Sequence, residues 1–147
     1  MLFRHHRLAI LVGVIVFLVI SGLLARWLAL ENVERGDVLA VLTDEAHGDA
    51  NGILAALHGC DRYCRANVFA DARSLKRSGN VQILAYQSQT SYALSTTVGV
   101  TRVAWKSSLG RFPVVQCVKV RRSGNAVTGM TIALLTLSVR IPDTADC

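Results

Sequence analysis

From Leu8 to Ala25 the chain reads LAILVGVIVFLVISGLLA, eighteen residues without a charge. At about 1.5 Å per residue such a run makes a helix of about 27 Å, and Trp27 and Leu28 with Leu2 and Phe3 extend it to the roughly 30 Å of a bilayer's hydrocarbon. Trp27 beside Arg26 suits the membrane interface, where an amphipathic ring and a snorkelling cation are both accommodated. Arg4 and Arg7, with His5 and His6 between them, precede the run; Arg26 and then Glu31, Glu34 and Asp37 follow it. That bias predicts a cytoplasmic N-terminus. A cleaved signal peptide would need small residues at −3 and −1, but Ile20-Ser21-Gly22, Leu23-Leu24-Ala25 and Trp27-Leu28-Ala29 are each bulky at −3. The expected organisation is a cytoplasmic N-terminus over 1–7, a retained plasma-membrane anchor over 8–28 and an extracytoplasmic domain over 29–147.

The formal net charge of +6 conceals an asymmetry. Residues 27–61 hold seven acids against Arg35 alone, whereas residues 62–142 hold twelve Lys or Arg and one acid, Asp71. The acidic stretch reads as helix over 31–59. Leu39, Leu42, Ala46, Ala50, Ile53 and Leu57 recur at spacings of three and four, which puts them on one face, and Asp37, Asp44, Glu45 and Asp49 fall largely elsewhere. Gly48 is the expected break, because Gly disfavours a helix interior.

The basic stretch reads as sheet, placed within 67–141. Val81–Tyr86, Tyr92–Lys106, Val114–Arg121 and Val127–Ile141 are rich in β-branched and aromatic residues and bounded by Gly, Ser, Asn or Pro. Val114, Val118 and Val120 share a face and Lys119 and Arg121 take the other, as a sheet covered on one side requires. The apolar parity changes from Val98 and Val100 to Val103 and Trp105, and again from Met130, Ile132 and Leu134 to Leu135, Leu137 and Val139. Bulges near Thr101 and Leu134 would produce both changes. Ser123-Gly124-Asn125 and Ser107-Ser108-Leu109-Gly110 with Pro113 supply turn chemistry. The predicted fold is α+β: one or two helices packed on a curved antiparallel meander of about four strands.

Cys60, Cys64, Cys117 and Cys147 lie in the part placed outside the cytoplasm, where disulfides persist, so two bridges are expected. Three pairings are open. Cys60 to Cys64 is awkward inside a regular helix. With Ser123-Gly124-Asn125 as the turn, Cys117 lies opposite Ile132, and Cys147 reaches it only if the tail after Pro142 folds back. A metal site built from His47, His58, Cys60 and Cys64 is the alternative, but C-x3-C is not a usual zinc knuckle and no second pair follows it. Neither metal nor cofactor is expected.

Between Ala72 and Pro142 there is no Asp, Glu or His. An enzyme would have to draw its acid or base from Asp44, Glu45, His47 or His58, through a pocket joining His47 or His58 to the sheet. Motifs for a nucleophile elbow, a phosphate loop or a zinc protease are missing, and a non-catalytic protein is expected. The informative residues are the cations Arg73, Lys76, Arg77, Arg102, Lys106, Lys119, Arg121 and Arg122, with Arg111 nearby. They either dock on the chain's own acidic helix or recognise an anion. Nucleic acid is not an expected partner outside the cytoplasm, and aromatics interleave too little with these cations to stack bases.

The order of anchor, helices and curved antiparallel sheet resembles single-pass envelope proteins with a cystatin-like or NTF2-like domain, among them secretion-system subunits and actinobacterial proteins associated with lipid import. A type IV pilin is similar only in outline: no acid stands between Arg7 and Glu31, and a processing site is missing. The resemblance is one of fold and implies no activity. The expected function is that of a single-pass, membrane-anchored accessory or structural subunit of a cell-envelope assembly, with the lipid bilayer and other envelope or membrane proteins as partners. The alternative is a binding module whose basic sheet face holds an anionic polymer, lipid or acidic partner.

Overall fold

The computed structural model describes the backbone of residues 2–77, 79–90, 96–125 and 129–147, and their side chains except those of 2–9, 27 and 125. The expected places of Arg4, His5, His6, Arg7 and Trp27, and the expected strand starts at Tyr92 and Val127, lie outside what is described. Three helices, α1 (Leu2–His47), α2 (Ala50–Ala56) and α3 (Arg62–Ser74), precede four strands, β1 (Val81–Ser88), β2 (Thr97–Ser107), β3 (Val114–Asn125) and β4 (Gly129–Leu137). Met1–Asn32 and Val33–Cys147 are separate compact units. In the first, the described apolar side chains of 10–26 and of Leu28 stand exposed, on a helix long and apolar enough to cross a membrane.

The second unit is α+β, with an open antiparallel sheet in the order β1-β2-β3-β4. α1 stops at Gly48, whose φ of +80° takes the left-handed conformation that side chains disfavour. Asp49 then caps α2 by accepting from the Gly52 amide, and Asp61 caps α3 by accepting from the Cys64 amide at 2.8 Å. Helix α3 occupies residues that the sequence reading gave to the start of the sheet, so the sheet begins at Val81 and not at 67. The signal for α3 was present: Cys64, Val68, Ala72 and Leu75 are buried at helical spacing behind a capping Asp.

The core joins the helices to the inner face of the sheet. Val38, Val41, Leu42 and Ile53 meet Val103, Trp105, Val118, Val120, Leu134 and Leu137. Two positions differ from the expected helical face: Leu39 is 37% exposed, and Glu45 is buried with Val41 and Leu42. The strands also correct the register. β2 pairs with β3 without interruption from Thr97↔Arg122 to Trp105↔Val114, so the expected bulge near Thr101 is absent. Val98 and Val100 simply lie on the outer face, opposite to Val103 and Trp105, which makes β2 apolar on both sides. The irregularity falls on β1, between Ile83 and Ala85. A second shift, opposite Lys119 and Val120, leaves Leu135 unpaired, next to the bulge expected at Leu134.

Ser123, Gly124 and Asn125 are not the turn. They pair with Thr131, Met130 and Gly129, so the connection is 126–128, outside the described residues. At Gly124 a Cβ would stand 2.1 Å from the Gly129 carbonyl oxygen, a close approach that only glycine permits. This longer hairpin carries Cys117 to Ser138: the Cys117 amide donates to Ser138 Oγ, and the Ser138 amide to the Cys117 carbonyl, each at 2.8 Å. Nine residues, not fifteen, then separate Cys147 from the point opposite Cys117, and the tail reaches back. The bridges are Cys60–Cys64, with Cα atoms 5.2 Å apart at the start of α3, and Cys117–Cys147, with Cα atoms 5.8 Å apart. Both pairings that looked difficult in the sequence are the ones formed.

Candidate binding surface and the buried polar clusters behind it

Inward-facing positions on β3 are even-numbered, and this parity decides the fate of the candidate cations. Val114, Gln116, Val118, Val120 and Arg122 are all buried, while Lys119 and Arg121 are exposed. Arg122 therefore leaves the surface set. Its side chain is 0% exposed and so is that of Glu34 on α1, to which it forms a salt bridge at 2.5 Å. Arg122 Nε donates to Glu34 Oε2 at 2.8 Å, Nη1 to the Thr90 carbonyl and Nη2 to Ser88 Oγ. Glu34 Oε1 accepts from Tyr86 Oη at 2.6 Å and from Thr101 Oγ1 at 2.9 Å. Burying two charges is costly unless every lone pair and proton finds a partner. Here three strands converge on one carboxylate to supply them. Burial, followed by the bond to the Glu34 carboxylate, raises the Tyr86 hydroxyl pKa above its ordinary value.

A second cluster lies further along α1. Gln116 Nε2 donates to Glu45 Oε1 at 2.9 Å and to the Ser138 carbonyl, and its Oε1 accepts from Trp105 Nε1 at 2.7 Å. Glu45 Oε2 has no hydrogen-bond partner among the described residues. Desolvation pushes the Glu45 carboxyl up to about 7, partly opposed by the Gln116 hydrogen bond and aided by Asp71. The amphipathic pattern hid both acids: Glu34, Val38, Val41, Leu42 and Glu45 share a helical stripe, so each carboxylate sits where an apolar residue was expected. Arg122 on the same parity as Val118 and Val120 was the available signal for the partner.

The remaining candidates are distributed over two regions. Lys119 and Arg121 stand on the outer face of β3, across from Val100 and Val98. Arg102 lies on the same face but is half-buried, because the tail crosses it: Arg102 Nε donates to the Ala145 carbonyl at 3.1 Å and Nη2 to the Asp143 carbonyl. Arg73, Lys76 and Arg77 are exposed where α3 ends, and Arg77 Nη1 donates to the carbonyls of Ser74 and Lys76. Lys106 is half-buried at the end of β2, and Arg111 is exposed in the β2–β3 turn. Among the described residues, Arg73, Lys76, Lys106, Arg111, Lys119 and Arg121 form no salt bridge. Docking on the acidic helix thus accounts for Arg122 and for none of these six.

A half-open cleft of about 230 Å3 lies between α1, the segment after α2 and β4, lined by Asp37, Ala40, Ala56, His58, Ile132 and Leu134. The His58 amide donates to the Leu134 carbonyl at 2.8 Å, which fixes that segment against β4. This cleft does join His58 to the sheet, with Asp37 as a further acid, yet its lining holds neither a hydroxyl nor a thiol nor an amine. His47 is exposed at the end of α1. Cys60 and Cys64, the cysteines of the alternative metal site with His47 and His58, are joined to each other. Comparison of the chain with family models, with curated proteins and with solved structures gave no match in any of the three.

Proposed function

We propose that the chain is a non-catalytic accessory protein of the cell envelope, held in the plasma membrane by residues 8–28 with its N-terminus in the cytoplasm and its disulfide-bonded domain outside. It engages an anionic partner through the outer face of the sheet. The supporting observation is the pair Lys119 and Arg121: on a strand whose inward Arg122 is paired with Glu34, the two outward cations are exposed and form no salt bridge among the described residues. Exposed cations on one face of a sheet raise the local concentration of anions and speed their encounter. Two disulfides fit an oxidising compartment. Helices packed on an open four-stranded antiparallel sheet support a cystatin-like or NTF2-like architecture.

The experiment extracts the full-length protein in mild detergent and compares it with K119E/R121E. The wild type should retain polyglutamate in a salt-sensitive manner and co-migrate with envelope proteins on native separation. The variant should lose both. Unchanged retention and co-migration in the variant would remove the outer face from the function. A catalytic reading would rest on Asp37 and His58 in the cleft, whose lining supplies no hydroxyl, thiol or amine beside them.

A further inference from the structure

At one end of the Val33–Cys147 unit three segments are tied together. The Arg77 amide donates to the Ala46 carbonyl at 2.8 Å, joining the end of α1 to the α3–β1 connection. The Ser108 amide donates to the Asn80 carbonyl at 2.8 Å and the Asn80 amide to Ser108 Oγ at 3.1 Å, joining that connection to the β2–β3 turn. The turn is itself closed by the Gly110 amide donating to the Ser107 carbonyl at 2.9 Å. Pro113, with its fixed φ, leads from it into β3. This construction holds Leu109 and Phe112 outward, 74% and 75% exposed. Arg111 stands between them, and Lys76, Arg77 and Lys106 lie on the segments tied to the turn. Not one acid occurs between Ala72 and Pro142.

Two large apolar side chains on a turn that carries Arg111 between them and no acid of its own match the chemistry of an anionic bilayer surface. The rings and methyls enter the headgroup boundary while the guanidinium and ammonium groups meet phosphate. A protein partner would have to offer a pocket for each projecting side chain. A lipid surface deforms around both. We infer that the β2–β3 turn is a second membrane contact, through which the domain docks on anionic phospholipid by inserting Leu109 and Phe112 with Arg111 at phosphate level. Thirteen residues of α1 separate Glu34 from His47, about 20 Å of helix, so this contact lies at the far end of the unit from the Glu34–Arg122 cluster. The inference does not depend on the outer-face reading.

The test uses full-length protein in nanodiscs of phosphatidylcholine, mixed with vesicles of either phosphatidylcholine alone or phosphatidylcholine with phosphatidylglycerol, and measures co-flotation. Wild-type protein should co-float with the anionic vesicles and not with the neutral ones. L109S/F112S should lower capture on the order of tenfold, and R111E about fivefold or more, since one cation near such a surface contributes on that scale. Because both variants alter exposed positions, an unchanged melting temperature and an unchanged near-ultraviolet signal from the buried Trp105 show that the fold is kept. K119E/R121E should be captured like the wild type. Capture lost in K119E/R121E but kept in L109S/F112S would overturn the inference and transfer lipid binding to the outer face. Failure of anionic vesicles to capture the wild type, or equal capture by neutral ones, would overturn it too, while leaving salt-sensitive retention on polyglutamate as an independent measure of the outer face.

Discussion

Glu34 and Arg122 illustrate how unequal the two ways of altering a buried ion pair are. Removing Arg122 leaves a carboxylate stranded behind β3, so R122M should cost about 3–5 kcal/mol in urea unfolding, a large share of a small domain's stability. E34L/R122M, which removes both charges, should recover most of that loss. Y86F takes away one donor to an ionised acceptor and should cost about 2 kcal/mol. If R122M and the double variant were equally unstable, the pair would matter through its shape and not its charge. Glu45 makes a prediction of the opposite kind. Its carboxyl titrates near 4.5 when unfolded and is raised to about 7 when folded, so the folded state holds the proton more tightly. Stability should be greatest below pH 4.5 as far as this group is concerned. It should fall as pH rises to about 7 by on the order of 3 kcal/mol, and then level off. Asp71, also raised by burial, acts with the same sign. E45Q should flatten the slope in that window, and an unchanged slope would exclude Glu45 as its source. In the sequence, Arg122 could be located by its parity on β3, but nothing about Glu34 or Glu45 distinguishes a buried carboxylate from the exposed acids around it. Pairing is a property of what comes opposite.

At the scale of elements, the β-meander was readable from its β-branched runs and turns, and the break at Gly48 from glycine's cost in a helix. Helix α3 is hard to read in the sequence because its short apolar repeat is set among three arginines and an Asn, and because Cys60 and Cys64 fall where the helix begins. The phase change on β2 was visible, but parity alone does not separate a bulge from a strand that is apolar on both faces. The hairpin register governed the disulfides: moving the turn from 123–125 to 126–128, together with the extra residue Leu135, brings Cys117 opposite Ser138. The two bridges should differ in weight. Cys117–Cys147 closes a separation of 30 residues and Cys60–Cys64 one of 4, so in the chain-entropy description C117S/C147S should cost about 3–4 kcal/mol and C60S/C64S about 2. Thermal unfolding of the two double variants would compare them directly. Equal losses would show that the tail's contacts on Arg102, and not the covalent closure, hold it to the sheet.

For the molecule as a whole, the apolar N-terminal run and the charge asymmetry were legible from the first reading. The asymmetry was not a sign of two halves neutralising each other: among the described residues one cation of the basic half, Arg122, pairs with the acidic helix, and Arg111, Lys119 and Arg121 are left exposed. Function stayed less legible than fold because the surface proposed to meet lipid, made of Lys, Arg and two exposed apolar side chains, has no fixed spacing in sequence. It is assembled from the ends of α3, β2 and a turn that only the fold brings together.

The Glu34–Arg122 contact joins positions 88 residues apart, and Glu45 waits 71 residues for Gln116. A chain delivered N-terminus first completes neither carboxylate's set of partners until β3 has emerged, since Arg122 and Gln116 both lie on that strand. The helix that comes first in the sequence is therefore among the last to be locked in place, and an interruption upstream of residue 122 leaves a stripe of Val and Leu exposed beside two unpaired acids, a state for which chaperones and proteases compete.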